Sequence, residues 1–320
     1  MVIGACARAA VAVAVVAAAT ACAAVESGGP TRSSPSARPS AAQPAAESTG
    51  PSVPRGLTLP LEGHFPTDWD VQDDDRARTI LLGRCLKRFG ITPRDRGAGR
   101  TDRHVGPRTL VQVRYGTRDT AWASEYGYWF PGQDRGRPAP PGAPSPEEAE
   151  VATGAVKTHK GRKVPEGGCI GEVVRTLDGP DATPATYADA LAEGNELNTA
   201  SFRSTRAEPA VRRAERAWSE CMRRHGHRLP ADIFSASAEV LGDGGGPETR
   251  PKPPPRGDEV RIAVADAECI GESRVDVVWN RAEVAYQRTR MAEDPATWTR
   301  VREVLDRHFA NVRLVLDGRK

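Results

Sequence analysis

The stretch EPAVRRAERAWSECMRRHG, residues 208–226, decides how the chain is read. Val211, Ala214, Trp218, Cys221 and Met222 recur at steps of three and four and so fall on one face of a helix. Glu208 and Pro209 suit its start, because the first helical turn does not need proline's missing amide proton, and Gly226 suits its end. The lettering occurs once before, in DDDRARTILLGRCLKRFG, residues 73–90. There Ala77, Leu81, Cys85 and Phe89 keep helical spacing, acids lead, and Arg84, Lys87 and Arg88 close, as the helix dipole favours. Residues 85–90, CLKRFG, align with residues 221–226, CMRRHG, and the tetrapeptide CIGE recurs at 169–172 and 269–272. This echo predicts a mainly α, disulfide-stabilised domain with two weakly related units.

Outward from these helices the pattern weakens. Residues 91–166 are rich in Pro, Gly and Arg, with β-like pieces such as Leu110, Val111, Gln112 and Val113, so a loop-rich segment with a small hairpin is expected. Helices are expected at 169–177 and 184–198. Beyond a breaker stretch at 242–257, residues 258–291 read as a helical run, followed by the long apolar stripe of Trp298, Val301, Leu305, Phe309, Val312 and Leu316. Asp294 and Pro295 either cap a new helix or kink a continuous one. Asp73, Asp74 and Asp75 read as a solvated helix start.

The amino-terminal end gives an address. MVIGACARAAVAVAVVAAATAC, residues 1–22, has the charged start, apolar run and small-residue site of an export signal. Its apolar run of about 13 residues is shorter than the ~20 needed to span a bilayer, so cleavage is expected. Ala19, Thr20, Ala21 and Cys22 resemble a lipobox, in which the cysteine takes a diacylglyceryl group and, with palmitate-like acylation, becomes the new terminus; Ala19 stands where leucine is usual. The competing reading is ordinary cleavage with Cys22 unused. Residues 23–56 are mostly Ser, Pro, Ala, Gly and Thr, too apolar-poor to offset ordering entropy, and as a flexible coil would reach roughly 30 Å. Four segments follow: a signal peptide 1–21, an anchor and disordered linker 22–56, a first disulfide-containing unit 57–200, and a second helical one 201–320.

Composition bounds the rest. Over 320 residues, 45 basic against 42 acidic side chains leave a net charge of only +3, which argues against nucleic acid as partner. Hydrophobic residues make up 38% and aromatics 5%, with a mean hydropathy of -0.51, so cores should be thin. Nearly all cations are arginine, a compositional bias that weakens a functional reading of any one cluster. In an exported chain, Cys85, Cys169, Cys221 and Cys269 imply two disulfides. Three pairings are open; the echo favours Cys85 with Cys169 and Cys221 with Cys269.

With CLKRFG, VPEGGCIGE (164–172), AWSECMRRHG and the run 263–287 in view, the chain resembles exported actinomycete lipoproteins of uncharacterised function. That resemblance implies a lipoprotein and carries over no catalytic residue.

Candidate sites are few. Cys221, His225 and His227 offer zinc-type ligands, but Cys221 is more simply half of a disulfide, and no metal or cofactor is expected. No catalytic residue is identified: G-x-S-x-G, H-E-x-x-H and Walker-type patterns are missing from residues 57–320. Glu172 and Glu272 read as local salt-bridge partners. Arg212, Arg213, Arg216, Arg223 and Arg224 are a candidate anion-binding face, against a default of solvated helix surface. Tyr126, Tyr128 and Trp129 are a candidate partner surface, against a default of core. The function expected is a non-enzymatic envelope lipoprotein on the outer face of the membrane, held there by its lipid and binding an envelope protein or anionic wall polymer. The alternatives are an enzyme acting on envelope polymers and a small-molecule-binding lipoprotein.

Overall fold

The computed structural model describes residues 50–92, 104, 106–130, 143–241 and 257–320. The leader, Cys22 and most of the linker lie outside them, as does nearly all of the breaker stretch at 242–257. Residues 46–320 form one compact unit. It is mainly α: α1 (Asp68–Arg88), α2 (Val111–Arg114), α3 (Thr120–Tyr126), α4 (Pro146–Thr153), α5 (Gly168–Asp178), α6 (Pro184–Arg206), α7 (Pro209–Arg224), α8 (Ser235–Leu241), α9 (Gly257–Ser273), α10 (Val275–Glu293) and α11 (Pro295–Leu316). The loop-rich segment holds the small hairpin, β1 (Thr158–His159) and β2 (Arg162–Lys163), antiparallel with Thr158 opposite Lys163. Its turn residues Lys160 and Gly161 both have positive φ, the geometry that matches strand twist in a two-residue loop. Leu110 to Val113, expected as strand, instead precede and open the single turn α2.

The two echoed helices end alike. Each closes with a glycine at positive φ, Gly90 at 70° and Gly226 at 90°. In each, the next amide reaches back to the residue after the cysteine, Ile91 to Leu86 at 3.2 Å and His227 to Met222 at 2.9 Å. The starts differ from expectation. α1 begins at Asp68 under a capping box of Thr67 and Asp70, so Asp73, Asp74 and Asp75 lie inside the helix and Asp74 is buried. The solvated-start reading of these acids is therefore corrected. Asp294 leaves helical geometry and caps α11 by accepting from the Thr297 amide at 3.1 Å, which decides for a new helix. The run 258–291 is likewise two helices, broken where Arg274 adopts φ 55°.

Helices pack across the expected boundary between the units. α11 lies on α1, α5 and α6, while α3 lies on α9, so each half is completed by an element of the other. The boundary at 200/201 falls inside α6. The larger core gathers Trp218, Met222, Trp279, Tyr115, Val211 and Ile270; a second surrounds Cys85, Leu86, Val151 and Cys169. The folded chain also starts before residue 57: Gly50 and Pro51 are buried, and the Ser52 amide bonds Asp119. Gly194 lets this entering segment lie against α6, since a Cβ there would meet the His64 carbonyl at 3.0 Å.

Candidate functional site

The four cysteines pair as Cys85–Cys169 and Cys221–Cys269, with Cα separations of 5.7 and 5.5 Å. Beside each bridge stands the same ion pair, an arginine three residues after the first cysteine and a glutamate three after the second: Arg88 with Glu172 at 2.5 Å, and Arg224 with Glu272. Arg88 also donates to the Cys85 sulfur at 3.2 Å. All four described cysteines are buried and bonded, so no thiolate nucleophile or ligand is offered among the described residues. Among the described residues, Cys221, His225 and Cys269 come together as metal ligands would, but two of the three are joined in the disulfide.

The buried acids are where chemistry would be sought, and most are committed inward; Glu215 of α7 meets Arg212 at 3.3 Å through Oε2 while its Oε1 has no hydrogen-bond partner among the described residues. Glu283, on α10, accepts from Arg114 at 2.6 and 2.7 Å, from the Tyr115 hydroxyl at 2.6 Å and from the Ser201 hydroxyl at 2.7 Å. Gln287, one turn on, donates to Ser201 and accepts the Leu61 amide, which ties the entering segment to α6 and α10. Burial and the Glu283 carboxylate push the Tyr115 hydroxyl far above its usual range. On the other side, His308 of α11 is fully buried, stacked on Tyr187 at 3.9 Å between centroids. Its Nδ1 meets Asp178 at 2.6 Å and its Nε2 meets Asp74 at 2.9 Å. Burial opposes the charge on His308, but the bonds to Asp178 and Asp74 outweigh it and raise its pKa. Asp74, also held by Arg78 at 2.8 Å, is lowered by His308 and Arg78 against the cost of burial. Asp276 pairs with Arg118 at 3.0 Å. General acid–base work needs a group within reach of a substrate proton, and these groups reach each other. The depression lined by Val53, Val111, Gly116, Arg118 and Asp276 has room for about one water.

Sequence reasoning did not single out His308, Glu283 or Asp266, and read Asp74 only as part of a solvated helix start, yet a signal was present. Asp74 stands three residues before Ala77, His308 three after Leu305, Glu283 four after Trp279 and Asp266 three before Cys269, all on apolar faces. A charge within an apolar stripe needs an internal partner.

The exposed candidates separate into two kinds. On α7, Arg213, Arg216 and Arg223 are exposed and make no ion pair among the described residues, whereas Arg212 meets Glu215 at 3.3 Å and Arg224 meets Glu272. Their spacing puts the three on one stripe, interrupted by exposed Glu220. The aromatic segment is mostly core. Trp122 and Phe130 are buried, Tyr126 packs on Trp122 at 4.4 Å, and Tyr128 turns inward to Asp266 at 3.1 Å. Tyr126, Tyr128 and Trp129 are half-buried, which agrees with the default reading of core at these residues more than with an open partner surface.

Comparison with family models, curated proteins and solved structures found no match to this chain.

Proposed function

We propose that this is an exported lipoprotein, anchored to the outer face of the membrane through Cys22, whose helical domain binds an anionic component of the envelope without catalysing a reaction. The observation that carries the binding reading is the stripe of Arg213, Arg216 and Arg223, exposed with no acid partner among the described residues. Guanidinium groups left unpaired on a rigid helix suit bidentate contact with phosphate. The inward commitment of Asp74, Asp178, Asp266, Asp276 and Glu283 supports a non-catalytic reading. Export is supported by the leader and by two buried disulfides, which persist in oxidising compartments.

The test compares the wild-type chain with the triple variant R213Q/R216Q/R223Q for binding to purified phosphate-rich wall polymer at low and high salt. The reading expects wild-type binding that weakens with salt, and a several-fold loss in the variant. Equal binding by the two proteins would reduce the arginines to a solvated face. For the anchor, Cys22→Ser should release the protein into the medium and abolish the acyl mass. Turnover of an envelope polymer with a sharp pH optimum would replace this reading by an enzymatic one.

A further inference from the structure

We propose that Asp266 is a pH-sensing latch: as a neutral acid it clamps the aromatic segment 120–130 onto α9, and its ionisation loosens the clamp.

The geometry carries this. Asp266 is 4% exposed and meets two side-chain donors, the Trp218 indole at 2.8 Å on Oδ1 and the Tyr128 hydroxyl at 3.1 Å on Oδ2. An indole N–H only donates, so Oδ1 is always the acceptor. Tyr128 donates to Oδ2 at 3.1 Å, and because a phenol also accepts, the hydroxyl can turn to take a bond from a proton on Oδ2. The neutral acid is therefore fully bonded where it stands. The ionised form accepts from both donors but bonds no cation among the described residues. From α7 the group facing it is the neutral indole, and from residues 127–130 the neutral phenol. Glu239 of α8 and Glu259 of α9 act on Tyr128 and are both acidic; Glu125 of α3 is exposed. Arg118, just before α3, is held by Asp276 at the start of α10. A buried carboxylate with two neutral donors and no cation is costly. In keeping with this, burial raises the Asp266 pKa from 3.8 to about 7, with the bonds from Trp218 and Tyr128 only partly offsetting it.

The latch adds to the packing of buried Trp122 and Phe130 and acts where the segment meets α9. α3 meets α9 through Ala123, Ala263 and Ala267, small side chains that bury little apolar area each. Tyr128 is the polar fastener of the segment, and its amide makes only a long 3.5 Å bond to Glu259.

The proton balance gives the direction. The closed segment keeps the proton up to about pH 7, whereas a wetted Asp266 in the open segment loses it near 3.8. Opening therefore becomes easier by about tenfold per pH unit between those values and levels off above pH 7. Hydrogen exchange on the full chain, corrected for intrinsic rates, should show protection of residues 120–130 falling about tenfold per unit from pH 5 to 7 and then flattening. Asp266→Asn keeps an acceptor for Trp218 and a donor for Tyr128 at every pH, so its protection should be independent of pH. Tyr128→Phe, which leaves Asp266 in place, should lower protection of the segment at pH 5 while Trp218 fluorescence still titrates near 7. A flat wild-type profile, a pH slope retained in the Asn variant, or unchanged protection in the Phe variant would each overturn the latch.

Discussion

Trp218 shows how one side chain joins packing to polarity. It is fully buried in the larger core, shares its helix face with Cys221, and gives its only N–H to Asp266. Trp218→Ala removes both and should cost about 3–5 kcal/mol, a large share of a typical stability of about 5–15. A thermal melt should show a large drop, and a wild-type melting curve would contradict the role assigned to the helix. Arg213 and Arg216 are exposed and point away, so replacing both by Gln should change stability by about 0.5 kcal/mol per site or less, whereas Arg212 partners buried Glu215 at 3.3 Å. His308 makes a pH prediction. Both ring nitrogens face carboxylates, a pattern that needs both to donate, as only the imidazolium does. A folded pKa raised above the ordinary 6.5 means its stabilisation is complete below 6.5 and is lost as pH rises through the folded value. Asp74, lowered from 3.8, loses its share only as pH falls below that value. The latch adds no slope above about pH 7, and the buried Tyr115, raised from its ordinary 10, adds none below about pH 10, so a decline in melting temperature between the two belongs to His308. His308→Gln should melt lower overall and flatten that decline; an unchanged slope above pH 7 would assign it to another group.

Among the elements, long helices were legible because a 3.6-residue period with a proline start and glycine end is a local signal, as at residues 209–226. Pairing of the bridges was legible from the echo of CLKRFG with CMRRHG. Breaks that depend on one dihedral were not. Nothing in the side-chain pattern of residues 258–291 marks Arg274, which turns to φ 55° so that α9 and α10 can fold back on different neighbours. An L-residue in the left-handed region is disfavoured by about 1–2 kcal/mol and glycine is not. Arg274→Gly should thus stabilise by up to about 1 kcal/mol and raise the melting temperature by about 2–4 °C. A fall instead would mean that the Arg274 side chain contributes more than its backbone costs. The bridges should prove nearly equal in value. Their separations of 84 and 48 residues differ by only about 0.5 kcal/mol in loop entropy. The Arg–Glu pair beside each is surface-exposed and adds little.

At the scale of the whole molecule, the sequence echo suggested two units in succession, but the packing interleaves them. Periodicity tells which face of α11 is buried without telling what covers it, and its Val312 and Val315 lie against Ala77 of α1 and Leu177 of α5. Its Val301 and Leu305 lie against Ala190 of α6, and His308 joins α1 to the end of α5. In the other direction, Tyr115 and the aromatic segment close the core that Trp218 and Trp279 begin. Cutting the chain at 200/201 would divide α6, strip α11 from the first bridge's helices, and leave Asp74 and Asp178 without their histidine. Residues 57–200 and 201–320 expressed apart should therefore each lack a cooperative melt even with their own disulfide intact. Mixing them should restore α-helical signal and a single transition, because the missing faces are complementary. Deleting residues 295–320 from the full chain should act the same way on the first core, exposing Leu177 and Ala77 to dye binding. If either half melts cooperatively by itself with a sharp transition, the halves are true domains and the interleaved contacts are secondary to folding.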